Sequence, residues 1–276
     1  MRWAFIAGIW LAVLTVASTI RADVTPVQLS LFNPIQLFSE ECDVYGLRLD
    51  ILYGNNRNVN GFDAGMINRV TKNGAGLQMG LVNTAKRMTG IQFGLIGCSA
   101  QQLCGIQIAG LGTVNTCYYT PNEIRQDAAA GSSNHVITGV QIAGLINDNL
   151  SDLTGIQIAG IFNESFDVRG AQIQAGLLGG NRANQMTGVQ IQAGLLGIND
   201  AYQMTGVQIA LGISQNETYD MTGFQLALVF NKAEHMKGVQ FGLANYCKKM
   251  TGVQIGLVNI IKESPLAFFP VVNAHF

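Results

Sequence analysis

The sequence predicts an all-β fold, and we expect an antiparallel outer-membrane-type β-barrel of roughly 14 to 16 short strands. One short unit of the type GVQIGLVN recurs about a dozen times, and apolar and polar residues alternate within it. Polar segments rich in Asn, Asp and charge, such as 147–153, 163–169 and 231–237, separate the units and indicate turns. A parallel β-solenoid is the alternative, because identical units also suit stacked coils.

The repeat is marked by one glycine at the same place in every copy. The copies begin at Gly61, Gly76, Gly90, Gly105, Gly139, Gly155, Gly170, Gly188, Gly206, Gly223, Gly238 and Gly252. These glycines are 14 to 18 residues apart except for one gap of 34. The long gap contains segment 113–137, which is rich in charged and small residues and predicts an inserted loop. The repeats therefore span about 61–260.

The alternation within a unit has a period of two, as a β-strand requires. In the last copy, TGVQIGLV at 251–258, Thr, Val, Ile and Leu share one face, and Gly, Gln, Gly and Val share the other. Two copies are longer by two residues, which keeps every side chain on its face. We expect the Val/Ile/Leu face to be kept from water, by lipid in a barrel or by the coil interior in a solenoid.

Two segments outside the repeats favour the barrel. Residues 45–53 alternate with an apolar face that has a tyrosine at each end, as the two membrane interfaces select. The chain ends on Phe276, behind which apolar and polar residues alternate, and this ending resembles the last strand of outer-membrane barrels. The segments between units also lack the second apolar strand that each coil of a solenoid would need. The even spacing of the copies favours the solenoid.

The first 22 residues predict a secretory signal peptide. Arg2 precedes an apolar run at 3–17, and small residues lead to a cleavage site after Ala22. An uncleaved membrane anchor is the alternative. We therefore expect export to the outer membrane or the cell surface, with 23–276 as a single β-repeat domain.

Charge and composition limit the partners. Without Arg2 and Arg21, 14 basic and 17 acidic side chains remain, which argues against nucleic acid. Outer-membrane lipid is the expected partner, while a protein or small-solute ligand is not specified. The histidines His135, His235 and His275 are far apart and lack metal-ligand spacing. We expect no catalytic, cofactor or metal site, and hence no enzyme.

The expected function is a pore-like or structural envelope component. If the fold is a solenoid, the alternative is a secreted or surface-exposed binding or adhesion module with 113–137 as its contact site. One column of side chains bears on both. It consists of Gln78, Gln92, Gln107, Gln141, Gln157, Gln172, Gln190, Gln208, Gln225, Gln240 and Gln254. These amides either bond one another across strands or line a barrel lumen.

The five cysteines form an odd set. A disulfide between Cys98 and Cys104 and a set of free thiols are both compatible with the spacing. The sequence does not choose between the two.

The repeat units also resemble a known family. AGLQMGLVN at 75–83, TGIQIAGIFN at 154–163 and TGVQIGLVN at 251–259 are similar to the units of bacterial surface-repeat proteins, which carry tandem GLQIGLVN-like repeats behind a signal peptide. Flanking segments 26–38 and 264–276 extend the resemblance over the mature chain. It implies an envelope location and supplies no active site.

Overall fold

The computed structural model describes residues 23–115 and 136–276. The chain divides into two compact units, Met1–Gly110 (unit 1) and Leu111–Phe276 (unit 2). The described residues form strands and turns, and they contain no helix that could span a membrane. Unit 1 contains β1 (Val24–Phe32), β2 (Ile35–Gln36) and β3 (Asp43–Ala109). Unit 2 contains β4 (Gly112–Asn115), β5 (Val136–Ala143), β6 (Ile146–Asn149), β7 (Asp152–Ala159), β8 (Phe162–Gln174), β9 (Leu178–Gln192), β10 (Leu196–Ala210), β11 (Ile213–Ala227), β12 (Phe230–Phe241), β13 (Ala244–Gly256), β14 (Val258–Ile261) and β15 (Val271–His275).

Unit 2 is a parallel β-solenoid, so the expected antiparallel barrel is wrong and the alternative is right. Successive repeats run in the same direction and pair in register, with Gly206 between Gly188 and Gly223. Equivalent positions of neighbouring coils are 14 to 18 residues apart, except that β4 pairs with β6 at a separation of 34 residues. Identical repeats favour this arrangement because parallel, in-register stacking pairs the Gly, Gln and Asn of each unit with their own kind. Antiparallel hairpins would pair unlike residues.

Unit 1 is built in the same way. Strand β1 pairs in parallel with the start of β3, and β2 pairs antiparallel with β1. Strand β3 is a continuous extended run that winds over itself, because Gly61 stacks on Gly46 and Gly76 stacks on Gly61. Residues 45–53, expected as a membrane strand, form the first part of β3 and pair with β1.

The repeat glycines form a column in which no other residue fits. Gly206 has a φ of 137°, a conformation that side chains rarely adopt. A Cβ on Gly206 would lie 2.0 Å from the carbonyl oxygen of Gly188 in the preceding coil. The invariance of this glycine along the repeat is therefore a consequence of backbone stacking.

The interior of unit 2 carries the residues that were expected on the polar face. Met204, Gln208 and Ala210 are 2%, 0% and 0% exposed. Val207 and Ile209 alternate with them and point outward, where they are partly exposed. The expectation that coils bury the Val/Ile/Leu face is thus wrong. The core is filled instead by paired amides, by small side chains and by one column of apolar side chains that runs from Ile137, Leu153 and Val168 into the methionines.

The segments predicted to be turns are largely strands. Residues 163–169 lie within β8 and 231–237 within β12, and 147–149 belong to β6. They form the second strand of their coil and its inward residues are Asn, Ser and Ala, while the buried Val168 and Met236 at their far ends lead into the next coil. The ends of the predicted loop at 113–137 are also strands, since β4 extends to Asn115 and β5 begins at Val136. Residues 116–135 lie outside the described part.

A short antiparallel strand ends unit 2. Strand β15 pairs with Gly252–Gly256 of β13, while β14 continues the parallel stack on the other side of the coil. Asn273 of β15 is buried, whereas Phe276 is 87% exposed. The terminal aromatic therefore follows a capping strand and does not close a barrel.

Candidate functional site

The predicted glutamine column is a buried hydrogen-bond ladder in each unit. All eleven side chains are at most 2% exposed. In unit 2 each Nε2 donates to the Oε1 of the preceding glutamine over 2.7 to 3.1 Å, from Gln157 to Gln254. In unit 1, Gln107 donates to Gln92 and Gln92 to Gln78, both at 2.7 Å. Since the solenoid has no lumen, these amides hold coils together and do not line a channel.

In unit 1 the glutamine ladder begins at a buried ion pair. Gln78 donates to Oδ2 of Asp63 over 2.8 Å. Arg48 is fully buried and donates to both oxygens of Asp63 at 2.6 Å. The second carboxylate, Asp50, lies 3.1 Å from Arg48 Nε. The pKa of Asp50 is raised to about 6, chiefly because the carboxyl is buried, while Arg48 opposes the rise and nearby Asp63 adds to it.

A second ladder, made of asparagines, was not predicted. It contains Asn147, Asn163, Asn181, Asn199, Asn216, Asn231, Asn245 and Asn259. Each Nδ2 from Asn147 to Asn245 donates to the next asparagine over 2.8 to 2.9 Å. Most also donate to a carbonyl ten residues later, as Asn199 does to Ile209. The asparagine at the end of each GLVN unit was the sequence feature that could have predicted this ladder, but asparagine is equally typical of turns.

Two outward rows on the first strand of each coil form an aliphatic face in unit 2, beside a third outward row of threonines that also holds Arg169 and Lys237. The register aligns two rows across eight coils, and every member is apolar. One row is Val140, Ile156, Ala171, Val189, Val207, Phe224, Val239 and Val253. The other is Ile142, Ile158, Ile173, Ile191, Ile209, Leu226, Phe241 and Ile255. We call these two rows, together with the corner leucines described next, the aliphatic face.

The corner that follows the first strand adds an exposed leucine in each of six coils. These corner leucines are Leu177, Leu195, Leu211, Leu228, Leu243 and Leu257, and 40 to 67% of each is exposed. At the adjoining start of the second strand, Leu178, Leu196 and Ile213 stack in register. An apolar surface of this extent on a folded chain is typical of an interaction surface.

The two strands of a coil lie back to back. Thr218 donates to Gln208 across the core over 2.7 Å, and Ser165 donates to Gln157 over 3.0 Å. Since these inward side chains meet, the outward side chains of the two strands lie on opposite faces of unit 2. The aliphatic face is therefore on one side, and the charged side chains of the second strand, such as Glu217, are on the other.

The cysteines and histidines do not form a reactive centre among the described residues. Cys98 and Cys104 carry free thiols, with Cys98 buried and Cys104 exposed. Burial raises the pKa of Cys98 to about 11 and that of Cys247 to about 12. His235 contacts Asp220 at 2.8 Å on the surface, and His275 contacts the carbonyl of Met250 at 2.9 Å. Three or more metal-ligating side chains do not cluster anywhere in 23–115 or 136–276.

No protein-family model, no curated protein and no solved structure matches this chain.

Proposed function

We propose that the protein is a non-enzymatic β-solenoid of the bacterial cell surface that lies against lipid through its aliphatic face. The single observation that carries the proposal is the reversed repeat, with Gln and Asn inside and Val, Ile and Leu outside. Solenoid interiors are ordinarily where such aliphatic side chains are needed. Their placement outside, in rows that run through eight coils, indicates an apolar environment around this face.

The composition of the face favours lipid over a protein partner. Protein interfaces concentrate their binding energy in Trp, Tyr and Arg, with Leu and Val under-represented. The two in-register rows contain only Val, Ile, Leu, Phe and Ala. The backbone beneath them is paired within the parallel ladder, so contact with hydrocarbon leaves no backbone polar group there without a hydrogen-bond partner.

The expected energy of burying the aliphatic face is comparable with the cost of association. Full burial of an aliphatic side chain contributes about 1.5 to 3 kcal/mol, so a half-exposed leucine contributes about 1 kcal/mol. Roughly ten such side chains, including the six corner leucines, contribute about 10 kcal/mol, which lies within the ~4 to 15 kcal/mol that association costs. Apolar attachment of this kind is insensitive to salt, unlike attachment through basic residues.

Vesicle flotation tests the proposal. The full chain is produced with its own first 22 residues, purified from the envelope, and its N-terminus sequenced. We expect it to float with phosphatidylcholine vesicles, equally at low and high salt. The triple variant Leu195→Glu, Leu211→Glu, Leu228→Glu should lose at least nine-tenths of this binding, because three charges would enter the apolar layer.

A leucine on the opposite face provides the matched control. Leu150 is 66% exposed and lies on the second-strand side, so Leu150→Glu should float like the parent. All variants share one N-terminus, which makes the comparison independent of residues 1–22. A parent chain that stays in the dense fraction, or a triple variant that still floats, would refute the proposal. The proposal would also be refuted if the parent formed a dimer that did not float and the triple variant were a monomer.

A further inference from the structure

The face of unit 2 opposite the aliphatic one contains a groove that runs across the coils. Its volume is about 660 Å³, and side chains from the second strands of several coils line it. One row of the lining is charged, and in it Arg182 lies in register between Glu164 and Asp200. The row continues through Glu217 to Lys232. A groove that crosses several coils fits an elongated ligand.

The next row of the groove holds three aromatic side chains, Phe166, Tyr202 and Tyr219. Tyr202 and Tyr219 occupy equivalent positions in neighbouring coils and stack with ring centroids 5.0 Å apart and planes 9° apart. Phe166 lies two coils before Tyr202 in the same column, and 57% of it is exposed. Between them the column holds only Asn184. Phe166 and Tyr202 therefore flank a slot above Asn184.

The slot has the width of a saturated ring. Neighbouring strands are about 4.8 Å apart, so the positions of Phe166 and Tyr202 are separated by about 9.5 Å. Neighbouring aromatic rings already fill one strand spacing, as Tyr202 and Tyr219 do. Two spacings leave room between the flanking side chains for a ring thicker than a planar one. A sugar ring has such a thickness, and its apolar faces pack against aromatic side chains.

Polar groups lie beside the slot. Arg182 is 3.8 Å from Glu164 and 3.5 Å from Asp200, and side-chain exposure of the three is 44 to 64%. Asn184 donates to Asp167 over 3.2 Å, which fixes its amide at the floor. Carboxylate, guanidinium and amide groups together supply the acceptors and donors that vicinal hydroxyl groups require.

The charge of the groove excludes an anionic chain. Its lining has four acidic side chains, Glu164, Asp200, Glu217 and Glu234, against the two basic side chains Arg182 and Lys232. Lys232 is paired with Glu217, and Arg182 lies between two carboxylates. Phosphate or uronate groups would meet a net negative surface without a free cation in this lining.

We propose that this groove binds a neutral glycan chain, one sugar ring of which enters the slot between Phe166 and Tyr202. The chain lies across the coils, and the hydroxyl groups of the inserted ring bond to Arg182, Asp200 and Asn184. With the aliphatic face on lipid, the glycan groove faces away from the membrane.

Isothermal titration of the envelope-purified chain tests the inference, with cellohexaose, maltohexaose and chitohexaose as probes. We expect at least one to bind with one site per chain. Tyr202→Ala should weaken it at least tenfold by removing one wall. Asn184→Tyr should also weaken it at least tenfold by filling the slot, while thermal unfolding shows the fold intact because the new ring continues the tyrosine stack.

Tyr246→Ala is the matched control, since Tyr246 is in register with Lys232 but outside the groove lining. Its affinity should remain within twofold of the parent. An oligogalacturonate of six residues should bind at least tenfold more weakly than the best neutral probe. The inference fails if all three neutral probes give no binding at millimolar concentration, if Asn184→Tyr binds like the parent, or if the anionic probe binds best. Vesicle flotation is read separately, so the two proposals stand or fall independently.

Discussion

At the scale of single residues, each glutamine of the ladder satisfies several neighbours. Gln208 donates to Gln190 and accepts from both Thr218 and Gln225. We predict that Gln208→Ala lowers the free energy of unfolding by about 3 kcal/mol, because each buried polar group left unpaired costs about 1 to 3 kcal/mol. Urea denaturation measures the loss, and Gln203→Ala, at an exposed position of the same strand, should change it by less than ~0.5 kcal/mol. Equal losses in the two variants would contradict the buried ladder.

The glycine column makes a separate prediction. Gly206→Ala would place a Cβ 2.0 Å from the Gly188 carbonyl in a backbone conformation of φ 137°. Strain and displacement of the preceding coil should together cost about 3 kcal/mol or more. Thermal unfolding followed by circular dichroism measures this cost. Thr205→Ala, at the neighbouring exposed position, is the control, and a Gly206→Ala protein as stable as this control would show that the coils do not stack through the glycine.

Asp50 predicts a pH dependence in unit 1. Its pKa is raised from 3.8 to about 6 by burial, so the folded state favours the protonated carboxyl. This contribution to stability is complete below pH 4 and is lost as the pH rises through 6, by up to about 3 kcal/mol. Asp50→Asn should remove the loss and be the more stable protein at pH 7. Urea denaturation from pH 4 to pH 8 tests this, and Asp43→Asn is the contrast, because hydrogen bonding to Arg57 lowers the pKa of Asp43. A parent whose stability rises between pH 4 and pH 7, with no gain in Asp50→Asn at pH 7, would contradict the prediction.

The sequence predicted the side-chain partition within a strand but not which face is buried. Period-two alternation places Gln208 and Gln225 together, and the regular spacing predicts that they pair. Alternation alone does not tell which of the two faces is buried, however, and the hydrophobicity of Val207 and Ile209 favours burying their face. The amide ladder reverses that preference, because from Gln157 onward each Nε2 donates to the preceding coil and nearly every Oε1 accepts from the next one. An isolated strand does not reveal these partners.

At the scale of elements, the coil is the structural unit and should be removable as a whole. Residues 223–237 make up one coil, since Gly223 and Gly238 are in register. Their deletion keeps both ladders continuous, so we predict a cooperatively unfolding protein with the same strand signal per residue. Deletion of 223–229 removes about half a coil and should prevent cooperative unfolding. Circular dichroism distinguishes the two, and similar melting curves for both deletions would contradict the coil boundaries.

The second strand of each coil was the element that sequence reasoning missed. Residues 213–218 alternate Ile, Ser, Gln, Asn, Glu and Thr, and such polar composition ordinarily indicates a turn. Their inward side chains, Ser214, Asn216 and Thr218, are buried because they bond to the ladders or face them. The groove on their outer side could not be predicted either. It depends on residues such as Phe166 and Tyr202, which vary from one repeat to the next.

At the scale of the whole molecule, the all-β class and the number of repeats followed from the sequence, whereas strand direction did not. Alternation, terminal aromatics and short strands are properties that barrels and solenoids share. A solenoid differs from a barrel in that equivalent positions of successive repeats stack on one another. The even spacing of the copies was the sequence feature that indicated this stacking. The tyrosines at 45 and 53 led to the wrong prediction of a membrane strand. The strand between them instead places Arg48 and Asp50 in the interior of unit 1.

Distances between spin labels on one exposed row test the parallel stack most directly. Thr154, Thr187 and Thr251 lie in one row of unit 2, with Arg169, Thr205, Thr222 and Lys237 at the intervening coils. Labels are attached through an unnatural amino acid, which leaves the native cysteines unchanged. Six strand spacings separate 154 from 251 and four separate 187 from 251, which predicts backbone separations of about 29 and 19 Å. Distances in this ratio support the solenoid, and distances that do not grow with the number of coils would contradict it.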